Sequence, residues 1–203
     1  MYLPFAASLL VASAYGVTVG IISDMHTNLQ YDSNIDASED CWSSGTTLAS
    51  SPSVWARYGC DPSPELVDAM LRRFTETFGK PDVLLIPGDH VSHDLSLDRG
   101  EATETSFQIV KDNMAATNDL VKKHFGDSLV ITVLGNNDSE YHNQAPDEEA
   151  KKAFYEFCYD LWITDIPGNA ALAADEELKS TFMAGGYYRV DIDENLSVLT
   201  LNS

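Results

Sequence analysis

Asp82-Val83-Leu84-Leu85-Ile86-Pro87-Gly88-Asp89-His90-Val91-Ser92-His93-Asp94 decides how the chain folds. Val83 to Pro87 are a short apolar run of the kind that makes a buried strand, and the run stops at a glycine. A carboxylate follows directly, with two histidines close behind. Open α/β sheets bind their ligands just beyond the carboxyl ends of their strands, which is where these side chains fall. Taken alone, an ordinary Gly-Asp turn is the competing reading.

Outward from this stretch the arrangement recurs twice. Val17-Thr18-Val19-Gly20-Ile21-Ile22-Ser23 is a second apolar, β-branched run, and it ends in Asp24-Met25-His26. Leu129-Val130-Ile131-Thr132-Val133-Leu134 is a third, ending in Gly135-Asn136-Asn137-Asp138. In an extended segment Asp-x-His puts both side chains on one side, so both can reach one ion. Carboxylate, imidazole and amide oxygen, with no thiolate, suit Zn, Mn, Fe or Mg.

Two amphipathic patterns lie between the runs. Ser63 is a helix cap with Pro64 in the first turn; Leu66, Val67, Met70, Leu71, Phe74 and Phe78 share a face, and Gly79 ends the helix. A second helix is expected over 101–125, with Phe107, Val110, Met114, Val121 and Phe125 inward. His124, in its last turn, reads as structural, because a cation there favours the helix dipole. Strand, helix, strand, helix, strand in that order predicts parallel pairing with right-handed crossovers. Further on, a helix over 146–162, loop plus a short helix over 165–180, and a hairpin turning at 191–195 are expected. Asn137-Asp138-Ser139 and Asn195-Leu196-Ser197 are formal glycosylation sequons.

Asp24-x-His26, Gly88-Asp89 and Gly135-Asn136-Asn137-Asp138, in that order and spacing, resemble the calcineurin-like metallophosphoesterases. The likeness is nearest to the branch of acid sphingomyelinase-like phosphodiesterases and endopolyphosphatases: Gly88-Asp89 with His93-Asp94 is similar to its Gly-Asp-x-x-x-His-Asp. Asn136-Asn137-Asp138 with His142-Asn143 is similar to the endopolyphosphatase form. The resemblance implies an α/β fold, a metallophosphatase-type αββα sandwich. It implies hydrolysis of phosphate esters or anhydrides at a dinuclear centre, with zinc the first choice of ion and Mn, Fe, Mg or Co the alternatives. Asp24, His26 and Asp89 would hold the first ion, and Asp89 with Asn136 the second. His93 would be the general acid, and Asn137 and His142 would meet substrate. Asn137 stands where the family's other proton donor falls and cannot act as an acid. His90 reads equally as a residue behind the ligands or a plain loop histidine.

The family completes its site with histidines on later strands, and this chain has none after His142. The expectation is therefore an N-terminal half of that sandwich, a second ion site that is incomplete, and a strand edge and apolar face left uncovered. A non-catalytic metal-binding or regulatory protein is the alternative function. The substrate class is a phosphorylated small molecule, lipid or polyphosphate.

Composition sets limits on this. At 44% hydrophobic and 22% charged residues the chain is globular. A net charge of −20 argues against a nucleic-acid or anionic-membrane surface. Residues 1–14 are apolar, too short to span a bilayer, and end Ala12-Ser13-Ala14, as a secretory signal peptide does; an edge strand or buried helix is the other reading. Residues 15–203 would be the metallophosphoesterase domain of a secreted or vacuolar/lysosomal protein. In that oxidising setting Cys41 and Cys60 are the natural disulfide, worth roughly 3 kcal/mol in the chain-entropy account, with Cys158 left over. The long polar insertion over 27–62 carries Trp42, Trp55 and Tyr58, which read first as packing groups.

Overall fold

The computed structural model describes residues 16–31, 55–56, 60–93 and 95–202. At its centre a parallel sheet runs in the order β1 (Val19–Ile21), β2 (Val83–Ile86), β3 (Leu129–Thr132). Val19 lies opposite Val83 and Ile21 opposite Leu85, while Val83 faces Leu129 and Ile86 faces Thr132. The crossovers are α1 (Pro64–Phe78) and α2 (Glu104–Phe125). This is the strand–helix alternation and the parallel pairing that the apolar runs predict.

Local chemistry sets the helix ends. Ser63 caps α1 through its hydroxyl, which accepts the Leu66 N–H at 3.3 Å. Helix α2 starts at Glu104 and not at Glu101, because the N–H groups of Glu101 and Ala102 both turn back onto the Asp98 carbonyl. Thr103 then closes a capping box with Ser106, each side chain accepting the other's backbone N–H at 2.8 and 3.2 Å.

One face of the sheet presents Leu84, Ile86 and Val130 to Val67 and Leu71 of α1 and to Val121 and Phe125 of α2. Burying a side chain such as Leu71 stabilises the fold by about 2 kcal/mol. Met70 and Phe78, expected inward, are exposed. Met70 lies beside the stripe, and Phe78 in the last turn packs only edge-on against Phe74 at 5.4 Å. On the second face Val83 and Ile131 meet Val110 and Met114 of α2 together with Phe154, Cys158, Trp162, Phe182 and Tyr188. Phe107 is half-buried, edge-on to Tyr141 at 5.2 Å.

The helix expected over 146–162 is divided. The Asp147 carbonyl takes the N–H of Ala150 and Lys151 in a turn, so α3 runs only Lys151–Tyr159. A π-helical turn, Asp160–Thr164, follows. Residues 165–180 hold more helix than expected: a 3-10 turn at Pro167–Asn169, α4 (Ala170–Ala173) and the start of α5 (Glu176–Gly185), which Asp175 caps. The expected hairpin is present as β4 (Tyr188–Asp191) and β5 (Ser197–Thr200), paired antiparallel. Its Tyr188 hydroxyl donates to the Thr132 carbonyl at 2.6 Å and accepts the Thr132 N–H at 2.9 Å, fastening the second sheet to the end of β3.

β1 departs from the buried-strand expectation. Gly20 is buried, but Val19 is 47% and Ile21 62% exposed. β1 is an edge strand, and the helices that cover the second face lie over β2 and β3. Trp55 is also exposed, although a packing role was expected for it. Cys158 is a buried free thiol. The signal peptide, Cys41 and with it the Cys41–Cys60 pairing, Trp42, Tyr58 and Asp94 lie outside the described residues.

Candidate metal centre

Immediately beyond β1 and β2 the backbone turns through a conformation that side chains disfavour. Asp24, His26 and Asp89 have φ of 56°, 43° and 55°. A residue held so costs on the order of 1–3 kcal/mol unless its surroundings over-determine it. Here they do. The N–H groups of Asp24, His26 and Thr27 bond to the carbonyls of Gly88, Asp89 and His90 at 3.2, 3.0 and 2.8 Å, so the two turns are laced together.

The lacing brings the three side chains to one point, their ligand atoms all within 4.8 Å of one another. The Nδ1 of His26 lies 2.9 Å from the Val91 carbonyl, which can only accept, so Nδ1 carries a proton and Nε2 is the nitrogen turned toward the carboxylates. That Nε2 stands 3.9 Å from Asp24 Oδ1 and 3.8 Å from Asp89 Oδ2. Two carboxylates and an imidazole with its far nitrogen already tied down are a donor set that suits a divalent cation.

The third strand end comes in close. Gly88 has φ of 108°, and a Cβ there would stand 2.5 Å from the Gly135 nitrogen. A Cβ on Gly135 would in turn collide with the Asp89 carboxylate. Glycine at both positions is what lets the motif after β3 reach Asp89. Asn136 is exposed there, with Nδ2 3.5 Å from His142 Nε2, and it borders a cleft of about 520 Å³. Asn137 is buried, and both its backbone N–H and its Nδ2 point at Asp89 Oδ1, at 3.1 and 3.4 Å. That burial also removes Asn137 from the reach of glycosylation in the folded chain.

Two histidine–aspartate pairs flank the ligands. His93, expected as an acid, stacks on His26 with ring centroids 4.0 Å apart. Its N–H donates to Asp61 Oδ2 at 2.7 Å, and its Nδ1 lies 3.1 Å from that carboxylate. Asp61, with His26 and His93, forms a second group of possible ligands. Sequence reasoning missed Asp61, which lies far along the polar insertion with no motif spacing to mark it. His90 turns the other way, its Nδ1 2.9 Å from Asp138 Oδ2 and its ring stacked on Trp162 at 5.1 Å. Asp138 also accepts the N–H groups of His90, Val91 and Gly135. Burial works against charge on Asp138, but the His90 ring and the amides outweigh it and hold the carboxyl below its ordinary range. His124 is structural as expected: its Nε2 lies 2.7 Å from Asp68 Oδ1.

An α/β chain that gathers oxygen and imidazole ligands at the ends of parallel strands is a protein of divalent-cation chemistry. The chain belongs to the calcineurin-like phosphoesterase family, whose pattern matches residues 17–202. Acid sphingomyelinase-like phosphodiesterase 3b of Mus musculus is 29% identical over 141 residues, covering 70% of this chain and 29% of that protein. Sphingomyelin phosphodiesterase B of Dictyostelium discoideum is 27% identical over 194 residues, covering 89% of this chain and 28% of its own length. Endopolyphosphatase of Schizosaccharomyces pombe is 27% identical over 196 residues, covering 90% of this chain and 32% of its own length. The chain thus spans under a third of the length of each of these relatives. No helix among the described residues is long and apolar enough to cross a membrane.

Proposed function

We propose that this chain carries the catalytic face of a metal-dependent phosphoester hydrolase working with two divalent ions. The convergence of Asp24, His26 and Asp89 in three left-handed backbone positions supports this reading. These three side chains would hold the first ion, and Asp89 with Asn136 the second, zinc being the first choice for such donors. Bound ions of this kind acidify water and neutralise phosphoryl charge.

The chain's own contribution is a proton. Asp61 engages His93 at Nδ1, so Nε2 is the atom that protonates the leaving oxygen. The stacked His26 ring fixes the plane of His93. Asn136 borders the cleft, whose lining among the described residues carries no charged side chain. An uncharged lining favours an ester of a single phosphate, lipid or nucleotide in character, over a polyphosphate chain. His142, beside Asn136, would contact the substrate phosphate. The apolar opening of residues 1–14 supports a secreted or vacuolar/lysosomal protein in which Cys41 and Cys60 pair.

Metal content by mass spectrometry tests the proposal, with hydrolysis of bis(p-nitrophenyl) phosphate, sphingomyelin and polyphosphate assayed on the same sample. Two ions per chain and turnover of the monophosphate esters are expected. No ion and no turnover overturns the reading. One ion without turnover makes the chain a metal-binding or regulatory module instead.

A further inference from the structure

Asn137 directly follows a proposed ligand, and its position invites a role at the substrate. Its surroundings do not. The residue is 2% exposed, and its backbone N–H and side-chain Nδ2 both donate to one oxygen, Asp89 Oδ1, at 3.1 and 3.4 Å. A carboxylate only accepts, so the nitrogen end of the amide must face it. That orientation leaves Asn137 Oδ1 buried with no partner among the described residues. A buried amide oxygen left unpaired calls for an explanation, and the hold of the nitrogen end on Asp89 supplies one.

We propose that Asn137 is a positioning residue for Asp89, and neither a proton donor nor a substrate contact. It occupies Oδ1 with two donors, so that Oδ2, the oxygen 3.8 Å from His26 Nε2, is the one presented to metal. With Oδ1 engaged, Oδ2 would be the oxygen that Asp89 offers to metal. Asp89 sits at a φ of 55°, and the same two hydrogen bonds help hold that conformation. This role rests on the metal-centre reading above.

The test is zinc affinity by chelator competition, with no phosphate present, on the wild type, Asn137→Ala and Asn137→His. The unfolding midpoint of each metal-free protein is measured alongside, and inorganic phosphate is then titrated onto the zinc-loaded samples. Asn137→Ala is expected to weaken zinc binding by about tenfold to a hundredfold, the usual effect of removing a partner behind a ligand. Asn137→His puts ring Nδ1–H where the amide nitrogen stood, and it is expected to recover most of that loss. Zinc affinity unchanged in Asn137→Ala, with or without weaker phosphate binding, overturns the proposal. So does a loss that Asn137→His fails to restore and that tracks a fall in unfolding midpoint. The wild-type titration separates this failure from that of the metal centre: a wild type that takes no zinc removes both, whereas zinc on the wild type with an indifferent Asn137→Ala removes only this role.

Discussion

His90 and His93 share one loop and each leans on an aspartate, yet the two pairs sit in opposite surroundings. His90 and Asp138 are buried to 1% and 0%, and Asp138 also collects the amides of His90, Val91 and Gly135. That pair bolts the turn after β2 to the turn after β3. His93 and Asp61 keep 29% and 14% of their side chains exposed, and on that loop the carboxylate takes donors from Ser92 and His93. The same two residue types thus make a buried strut in one place and, in the other, the part-exposed pair for which we propose proton donation. What differs is access: a buried imidazole has no solvent or substrate with which to exchange a proton.

The comparison breaks most sharply at Asp138. Asp138→Ala leaves His90 and three amides without an acceptor and should cost about 3–5 kcal/mol in urea unfolding; a loss under about 1 kcal/mol would show that the pair is no strut. The same carboxylate gives a pH signature. Its folded value lies below the ordinary 3.8, so its contribution is fully present above 3.8 and is lost as pH falls through the lower folded value. Unfolding free energy of the metal-free protein should therefore drop with acid in that range, and Asp138→Asn should flatten the drop.

Gly88→Ala attacks the crossing of the two turns that the strut holds. A Cβ there combines a φ of 108° with a collision at the Gly135 nitrogen, so about 2 kcal/mol of stability and most metal binding should go. Retention of metal by a stable Gly88→Ala protein would mean the turns need not touch. Asp61→Asn probes the other pair. It should lower kcat about tenfold to a hundredfold, at unchanged metal content and with under about 1 kcal/mol lost in thermal unfolding. A stability loss as large as that of Asp138→Ala would make Asp61 a second strut. At the small end, a third pair, His124 with Asp68, lies away from the metal ligands. His124→Ala should cost roughly 0.5–1 kcal/mol and leave metal binding alone.

Much of this molecule was readable residue by residue. Three apolar runs ending in Asp-x-His, Gly-Asp and Gly-Asn carried the parallel sheet and its ligand end, because strand burial and period act over a few neighbours. Met70 and Phe78 misled, since a helix stripe gives the side that faces inward but not how far the partner sheet extends. The start of α3 misled for a related reason: Asp147 spends its carbonyl on a turn, which no apolar period records.

The sequence alone determined the parallel pairing of the strands, the crossover helices, the hairpin and the candidacy of Asp24, His26 and Asp89 as ligands. Those depend on local pattern and on chemistry fixed by residue type. Only the tertiary structure decided that Asp61 meets His93, that Asp138 locks His90, and that Asn137 turns onto Asp89. Each of these joins residues at least 32 positions apart: 32 for His93 and Asp61, and 48 for the other two contacts. Such pairings arise when the strand ends are packed side by side, and no spacing along the chain encodes which side chain will then find which.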